Sequence, residues 1–188
     1  MNRLGMTKIE LLVIGLIVGL LGVMAAVAVS GARSSMRDAV RLANVREVQA
    51  GLELYFNDAN SYPETSDFAA LGQSATQCLG VEGFASSCSE DESVYLDLVL
   101  SPPDGGLTGL AACETYTDGY CFMGTETAYR IQFELEQDNA LLELQEGLNC
   151  ATEEGISAGE CSSLASTLEE ESSDEETDDE EESEESEE

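Results

Sequence analysis

The chain has 188 residues, of which 39 are acidic and 7 basic, and its formal net charge is −32 at pH 7. Histidine and tryptophan are absent, which excludes histidine general bases, histidine metal ligands and the usual Ser/His or Cys/His nucleophile pairs. An enzyme would depend on carboxylates alone, and no isolated pair of them stands out, so we expect no enzymatic activity. A chain this acidic should also repel nucleic acid, and we expect no nucleic-acid contact.

An apolar, uncharged run occupies residues 11–29. As a helix rising about 1.5 Å per residue it is roughly 28 Å long, close to the ~30 Å hydrocarbon core of a bilayer. The sequence Gly5-Met6-Thr7-Lys8-Ile9-Glu10 precedes it, which places one carboxylate at the start of a segment long enough to cross a membrane. A charge in that position is costly, and it is by default a functional hypothesis.

The residues before the run do not form a secretory signal peptide, because the small residue Gly5 precedes the apolar core instead of following it. The order of Gly5, Glu10, apolar run and amphipathic extension resembles the class III leader of type IV pilins and type II secretion pseudopilins. The resemblance implies that a prepilin peptidase cuts between Gly5 and Met6, that the new amine of Met6 is methylated, and that Glu10 is the family's glutamate. Met6 stands where the family most often has Phe, and Lys8 where an apolar residue is usual.

The resemblance also implies a function, a location and partners. The chain would be a structural subunit of a type IV pilus or pilus-like filament, in which Glu10 pairs with the Met6 amine of a neighbour. Its other partners would be the prepilin peptidase, the inner-membrane assembly platform and, before assembly, membrane lipid. We expect a single pass through the cytoplasmic membrane with the N-terminus inside, and a cell-surface filament after assembly.

Three alternatives stay open. The chain could be a pseudopilin of a type II secretion or DNA-uptake machine, which shares the same N-terminus. It could be a membrane-anchored acidic domain that binds a cation or ligand and never polymerises. In the simplest alternative, residues 11–29 are an ordinary anchor and Glu10 is accidental.

The amphipathic pattern after the run predicts that the helix continues to about residue 57, where a turn begins. A basic stripe of Arg33, Arg37 and Arg41 is expected to be solvated or to pair with acidic heads of neighbouring subunits. An apolar stripe on another side is expected to be the domain-packed face. Its members are Met36, Val40, Ala43, Val48, Leu52 and Tyr55.

The rest of the chain is expected to be loop-rich with a small antiparallel sheet. Residues 67–71 are predicted as a helical turn, and residues 94–100 as a strand with one buried face. Residues 119–123 and 127–135 predict a hairpin, and residues 140–144 a third strand. The apolar face of the second hairpin strand should lie on the long helix; its members are Tyr129, Ile131, Phe133 and Leu135.

The predicted fold class is therefore α+β, with a long N-terminal helix packed on a small antiparallel sheet. The predicted division is a leader (1–5), a transmembrane or assembly half of the helix (6–30), an amphipathic half (31–58), an exported pilin-like globular region (59–168) and an acidic tail (169–188). The tail consists only of Glu, Asp, Ser and Thr, so it cannot bury apolar area and is predicted to be disordered.

The chain contains 6 cysteines, all after the apolar run. An even number in an exported domain predicts disulfides, and close spacing in consecutive pairs favours the sequential connectivity among about 15 possible ones. A zinc site is disfavoured because histidine and Cys-x-x-Cys spacing are both absent. The expected pairs are Cys78–Cys88, Cys113–Cys121 and Cys150–Cys161.

A calcium site is the one cofactor alternative, because hard cations bind several oxygen ligands. The cluster Glu90-Asp91-Glu92 supplies carboxylates but no spaced ligand pattern. We therefore expect a solvated acidic loop and no cofactor.

Overall fold

The computed structural model describes residues 7–89, 92–111, 113 and 119–161. Gly5, Met6, residues 90–91 and the tail 169–188 lie outside the described residues, so what the sequence predicts for them stays a prediction. The described part consists of one long helix followed by short antiparallel strands, which confirms the predicted α+β class.

Helix α1 (Lys8–Ala59) contains 52 residues and is about 78 Å long at 1.5 Å per residue. Thr7 caps its start, because the Thr7 hydroxyl oxygen accepts a hydrogen bond from the backbone N–H of Glu10. Asn60 ends the helix in the left-handed conformation, with φ 56°, and its N–H donates to the Phe56 carbonyl. The predicted end near residue 57 is confirmed.

Two antiparallel sheets follow in the described residues. The five-stranded sheet has the order β1-β5-β6-β7-β8, and the three-stranded sheet has the order β3-β2-β4. The strands are β1 (Ala69–Leu71), β2 (Cys78–Gly80), β3 (Gly83–Ala85), β4 (Val94–Leu96), β5 (Tyr120–Gly124), β6 (Tyr129–Leu135), β7 (Gly147–Thr152) and β8 (Gly155–Ala158).

The predicted hairpin is confirmed as β5 and β6, which pair from Cys121↔Gln132 to Gly124↔Tyr129. The apolar face of β6 is buried in one cluster with the second half of α1, also as predicted. The side chains that make this central contact are Leu42, Val45, Val48, Leu52, Tyr120, Phe122, Tyr129, Ile131, Phe133 and Leu135.

Two of the other local predictions are wrong. Ala69–Leu71 is a strand and not a helical turn, because its backbone pairs with β5 in the register Ala69↔Phe122. Residues 140–144 form a turn closed by the bridge Asn139↔Leu144, and the strand next to β6 is β7 instead. The strand predicted over residues 94–100 exists but ends at Leu96.

The predicted apolar stripe of α1 is half correct. Val48, Leu52 and Tyr55 are buried, whereas Met36, Val40 and Ala43 are exposed. We call the described residues between 60 and 161, which contain both sheets, the head. The first stretch of α1 that packs against the head has a buried face that includes polar side chains, and these have partners in the head. The members of this face are Asp38, Arg41, Leu42, Asn44 and Val45.

All six cysteines form disulfides, in the sequential connectivity that the spacing favoured. Cys78–Cys88 holds the loop after β3 to β2, and Cys113–Cys121 holds the preceding loop to β5. Cys150–Cys161 fastens the segment after β8 to β7. Each bridge closes a short loop around the sheets, and none of them involves the helix.

Candidate functional surface: the exposed helix and its attachment to the head

The first part of α1 carries an uninterrupted apolar surface that the rest of the described chain does not cover. The helix is long and apolar enough to cross a membrane, by length and composition, and its most apolar window is 0% buried. A continuous exposed apolar surface of this kind marks an interaction with lipid or protein. Its large side chains are each 46–72% exposed: Ile9, Leu11, Leu12, Val13, Ile14, Leu16, Ile17, Val18, Leu20, Leu21, Val23, Met24, Val27 and Val29.

Glu10 lies in the first turn of the helix, at the edge of this surface. It is the only acidic residue in the first 37 positions of the sequence, and it is exposed. A carboxylate in the first turn interacts favourably with the positive end of the helix dipole. The Glu10 carboxylate therefore carries the one negative charge of this part of the helix, and it has no side-chain partner among the described residues. The predicted cleavage and methylation residues, Gly5 and Met6, lie outside the described residues.

An ion cluster of Arg37, Asp38, Arg41 and Glu136 attaches the other half of the helix to the head. One guanidinium nitrogen of Arg41 donates to Asp38 over 2.7 Å and to Glu136 over 2.6 Å. The Arg37 side chain donates two hydrogen bonds to the Glu136 carboxylate, one of them from Nε over 2.6 Å. The backbone N–H groups of Glu136 and Gln137 donate to Asp38.

The ion cluster is electrically balanced, with two guanidinium groups and two carboxylates, and it is buried except for the Arg37 side chain, which is 31% exposed. The Arg41 side chain is 0% exposed and that of Glu136 is 8% exposed. The second terminal nitrogen of Arg41 donates to the Gly105 carbonyl over 2.7 Å, while its Nε has no hydrogen-bond acceptor among the described residues. The hydrogen bonds from Arg37, opposed by burial and reinforced by Arg41, hold the pKa of Glu136 below its ordinary value.

This cluster corrects the prediction for the basic stripe. Arg41 is buried and Arg37 is partly exposed, and both pair with carboxylates of their own chain instead of those of neighbouring subunits. Arg33 alone remains exposed as predicted. Sequence reasoning missed the cluster because the predicted strand ends at residue 135, and no local pattern links Glu136 to a helix residue 95 positions earlier. The spacing of Asp38 and Arg41, three residues apart on one helix face, was the available signal.

A second buried carboxylate, Glu134, organises the loop between β4 and β5. It accepts hydrogen bonds from the backbone N–H and hydroxyl of Thr108 over 2.7 and 2.6 Å, and from the Leu110 N–H over 3.0 Å. Burial alone would raise the pKa of Glu134, but these hydrogen bonds outweigh it and the pKa is lowered. Glu134 therefore holds the loop against the outer face of β6.

No group of three or more metal-ligating side chains occurs within the described ranges. A cavity of about 130 Å³ lies beside the Cys78–Cys88 disulfide and is lined by Glu82 and Glu92 among others. Two residues of the acidic cluster considered for calcium, Glu90 and Asp91, lie outside the described residues. The calcium alternative is therefore untested.

Comparison of the chain with protein-family models, with curated proteins and with solved structures gives no match. A long N-terminal apolar helix that packs on a small, disulfide-bonded antiparallel sheet is compatible with a pilin-like fold.

Proposed function

We propose that this chain is a structural subunit of a type IV pilus or pilus-like filament and that it polymerises through α1. One observation carries the proposal: α1 continues without a break from the buried core of the head into a segment whose apolar side chains are all exposed. Glu10 is the single acidic residue of that segment. A plain anchor needs the apolar residues, but it does not need the carboxylate.

Before assembly, lipid would cover the apolar half of the helix. In the filament, the same halves of neighbouring chains would pack as a central bundle with the heads outside. An ionised Glu10 without a partner in that bundle would cost several kcal/mol. The ammonium group of Met6 on a neighbouring chain would offset this cost and fix the axial stagger between subunits. This contact joins two different surfaces and does not close, so repetition generates a filament.

The ion cluster has a role in this mechanism. The Glu10 contact would set the axial stagger between neighbouring helices. That stagger fixes the positions of the heads only if each head is held in one orientation on its own helix. Arg41 and Glu136 supply that connection, because they join the helix to the end of β6 inside the protein. The three disulfides suit a head that is exposed outside the cell, where thiols are oxidised.

Replacement of Glu10 tests the proposal. Glu10→Ala should abolish filaments seen by electron microscopy while membrane insertion and the three disulfides stay intact. The matched control is Glu47→Ala, which removes another exposed helix carboxylate and should leave filaments unchanged. Normal filaments from the Glu10→Ala variant would contradict the proposed role of this residue.

Mass spectrometry of the protein from native membranes and from sheared surface material separates the alternatives. A chain that begins at methylated Met6 supports processing after Gly5, and Gly5→Ala should then leave an uncleaved precursor. Processed protein in the sheared fraction favours a pilin, and its confinement to the envelope favours a pseudopilin. A chain that begins at Met1 or Asn2 would instead favour a non-polymerising anchored domain.

A further inference from the structure

The extramembrane part of α1 has an outward face that its own head leaves uncovered. Arg33, Met36, Val40 and Ala43 lie on one side of the helix, at spacings of three and four residues. Met36 is 70% exposed and Val40 is 47% exposed. At 3.6 residues per turn this side is opposite the buried residue Val45. We call these four residues the outer strip.

A second exposed apolar feature lies on the turn between β6 and β7. Leu141 is 95% exposed and Leu142 is 38% exposed, and the exposed acidic residues Asp138 and Glu143 flank them. We call residues 138–143 the leucine turn. The bridge Asn139↔Leu144 gives this turn a defined shape.

The two surfaces lie at similar heights along the helix. Two hydrogen bonds show how β6 runs relative to the helix. Gln49 donates to the hydroxyl of Tyr129 at the start of β6, and Ser35, nearer the N-terminus of the helix, donates to the side chain of Gln137 just after β6 over 2.8 Å. Strand β6 therefore runs toward the apolar half of the helix. The leucine turn, which follows Gln137, lies at the lower end of the head, near the level of Arg33 and Met36.

We propose that the leucine turn of one copy binds the outer strip of the next copy; this inference rests on the proposed polymerisation. The chemistry of the two surfaces is complementary. Exposed leucines meet exposed Met36 and Val40, and the carboxylates beside the leucines meet the guanidinium of Arg33. The strip faces away from its own head, so its partner comes from another copy.

The charges favour a second copy over lipid as the occupant. A segment that inserts its leucines into the bilayer surface is typically flanked by Lys or Arg, which are attracted to anionic lipid. Asp138, Glu143 and Glu146 surround this turn instead. The two surfaces also differ from each other, so the contact is head-to-tail and can repeat along a filament.

Site-specific photocrosslinking of the full-length protein in its native membranes tests the contact. A benzoylphenylalanine residue at Leu141 should give a covalent dimer on illumination, and the crosslinked peptide should contain Met36 or Val40. The matched control places the same probe at Leu98, which is 58% exposed elsewhere on the head; it should not crosslink to the outer strip. Absence of the dimer, a crosslink to lipid, or a crosslink to another part of the head would overturn the proposal.

Charge reversal gives an independent readout in the same assay. Arg33→Glu should lower the yield of the Leu141 crosslink by about tenfold or more, because like charges then face each other. The second change Glu143→Arg should restore it, and no recovery would contradict the assigned pairing. If the protein forms filaments but the crosslink maps elsewhere, the proposed contact is wrong and the proposed polymerisation is unaffected. If the crosslink maps to the outer strip but no filaments form, the contact is supported and the proposed function is contradicted.

Discussion

A guanidinium nitrogen of Arg41 lies 2.6 Å from the carboxylate of Glu136, although 95 residues separate the two in the sequence. Arg41 is on the helix and Glu136 follows β6, so this ion pair joins the two main parts of the fold. Its polar groups are buried, and a buried ion pair contributes little net stability but is costly to break from one side. The ion cluster is therefore a sensitive point of the head.

Arg41→Met should destabilise the protein by about 3–5 kcal/mol, because Asp38 and Glu136 would remain buried without their shared guanidinium. Urea unfolding of the full-length protein in mild detergent, followed by near-ultraviolet circular dichroism of the tyrosines, measures the loss. Arg33→Met is the control, since it removes an exposed arginine from the same helix and should change stability by about 0.5 kcal/mol or less. Equal effects of the two variants would contradict the structural role of the cluster.

Acid should weaken the head through Glu134 and Glu136. The pKa of each lies below the ordinary value of 4.5 in the folded protein, so each carboxylate contributes stability that is fully present above that value. The contribution is lost as the pH falls through the lowered folded pKa. Glu134→Gln and Glu136→Gln should each reduce stability at neutral pH and flatten its decline in acid.

The measurement is the free energy of unfolding at a series of pH values between neutrality and the acid transition. Ser35→Ala is the control, because it removes the hydroxyl that donates to Gln137 without removing a carboxylate. Its acid limb should have the wild-type slope. Glutamine variants that also keep this slope would show that the two carboxylates do not couple folding to protons.

The long helix and the β5–β6 hairpin were predictable because their signals are local. The alternation of residues 129–135 and the turn before them fix a strand pair without knowledge of the rest of the chain. The ion cluster was not predictable in this way, because the burial of Arg41 depends on a carboxylate far away in sequence. Asp38 is buried in this cluster, and Asn44 is buried where it donates to the Tyr120 hydroxyl. A count of apolar residues alone cannot place these two polar side chains on the buried face.

Glu10 is a candidate site that the sequence alone suggests, because a charge beside an apolar run is costly wherever the run is buried; its role stays a prediction. The outer strip was not identified, because exposed apolar residues such as Met36 and Val40 have the same periodicity as core residues. The strand prediction for residues 140–144 is wrong for a related reason. Their leucines suggested a strand, but Leu141 is 95% exposed and Glu143 turns the chain with φ 56°.

Gly51 permits the close approach of α1 and β4. A Cβ atom at this position would lie 2.5 Å from both Cγ and Cδ1 of Leu96. Alanine would favour the helix by about 1 kcal/mol, but overpacking typically costs about 1–3 kcal/mol, so Gly51→Ala should be destabilising overall. Urea unfolding measures the difference.

Two variants complete the Gly51 test. Gly31→Ala, also within α1, places its Cβ more than 4 Å from every atom it could contact in the part of the chain that the structure describes, and it should be neutral or stabilising. Adding Leu96→Ala to Gly51→Ala should cost less than the same truncation costs alone, because the clash is then relieved. Additive effects of the two changes would show that the helix and strand adjust freely.

The Cys150–Cys161 disulfide should hold the edge of the five-stranded sheet. Strand β8 is largely exposed, and among the described strands it pairs with β7 alone, so the bridge limits its detachment. The double variant Cys150→Ser, Cys161→Ser should lose about 2–3 kcal/mol in the loop-entropy model. Amide exchange should accelerate more over residues 155–158 than over residues 131–135 of the central strand. Equal acceleration in both strands would show that the bridge stabilises the head as a whole and not its edge.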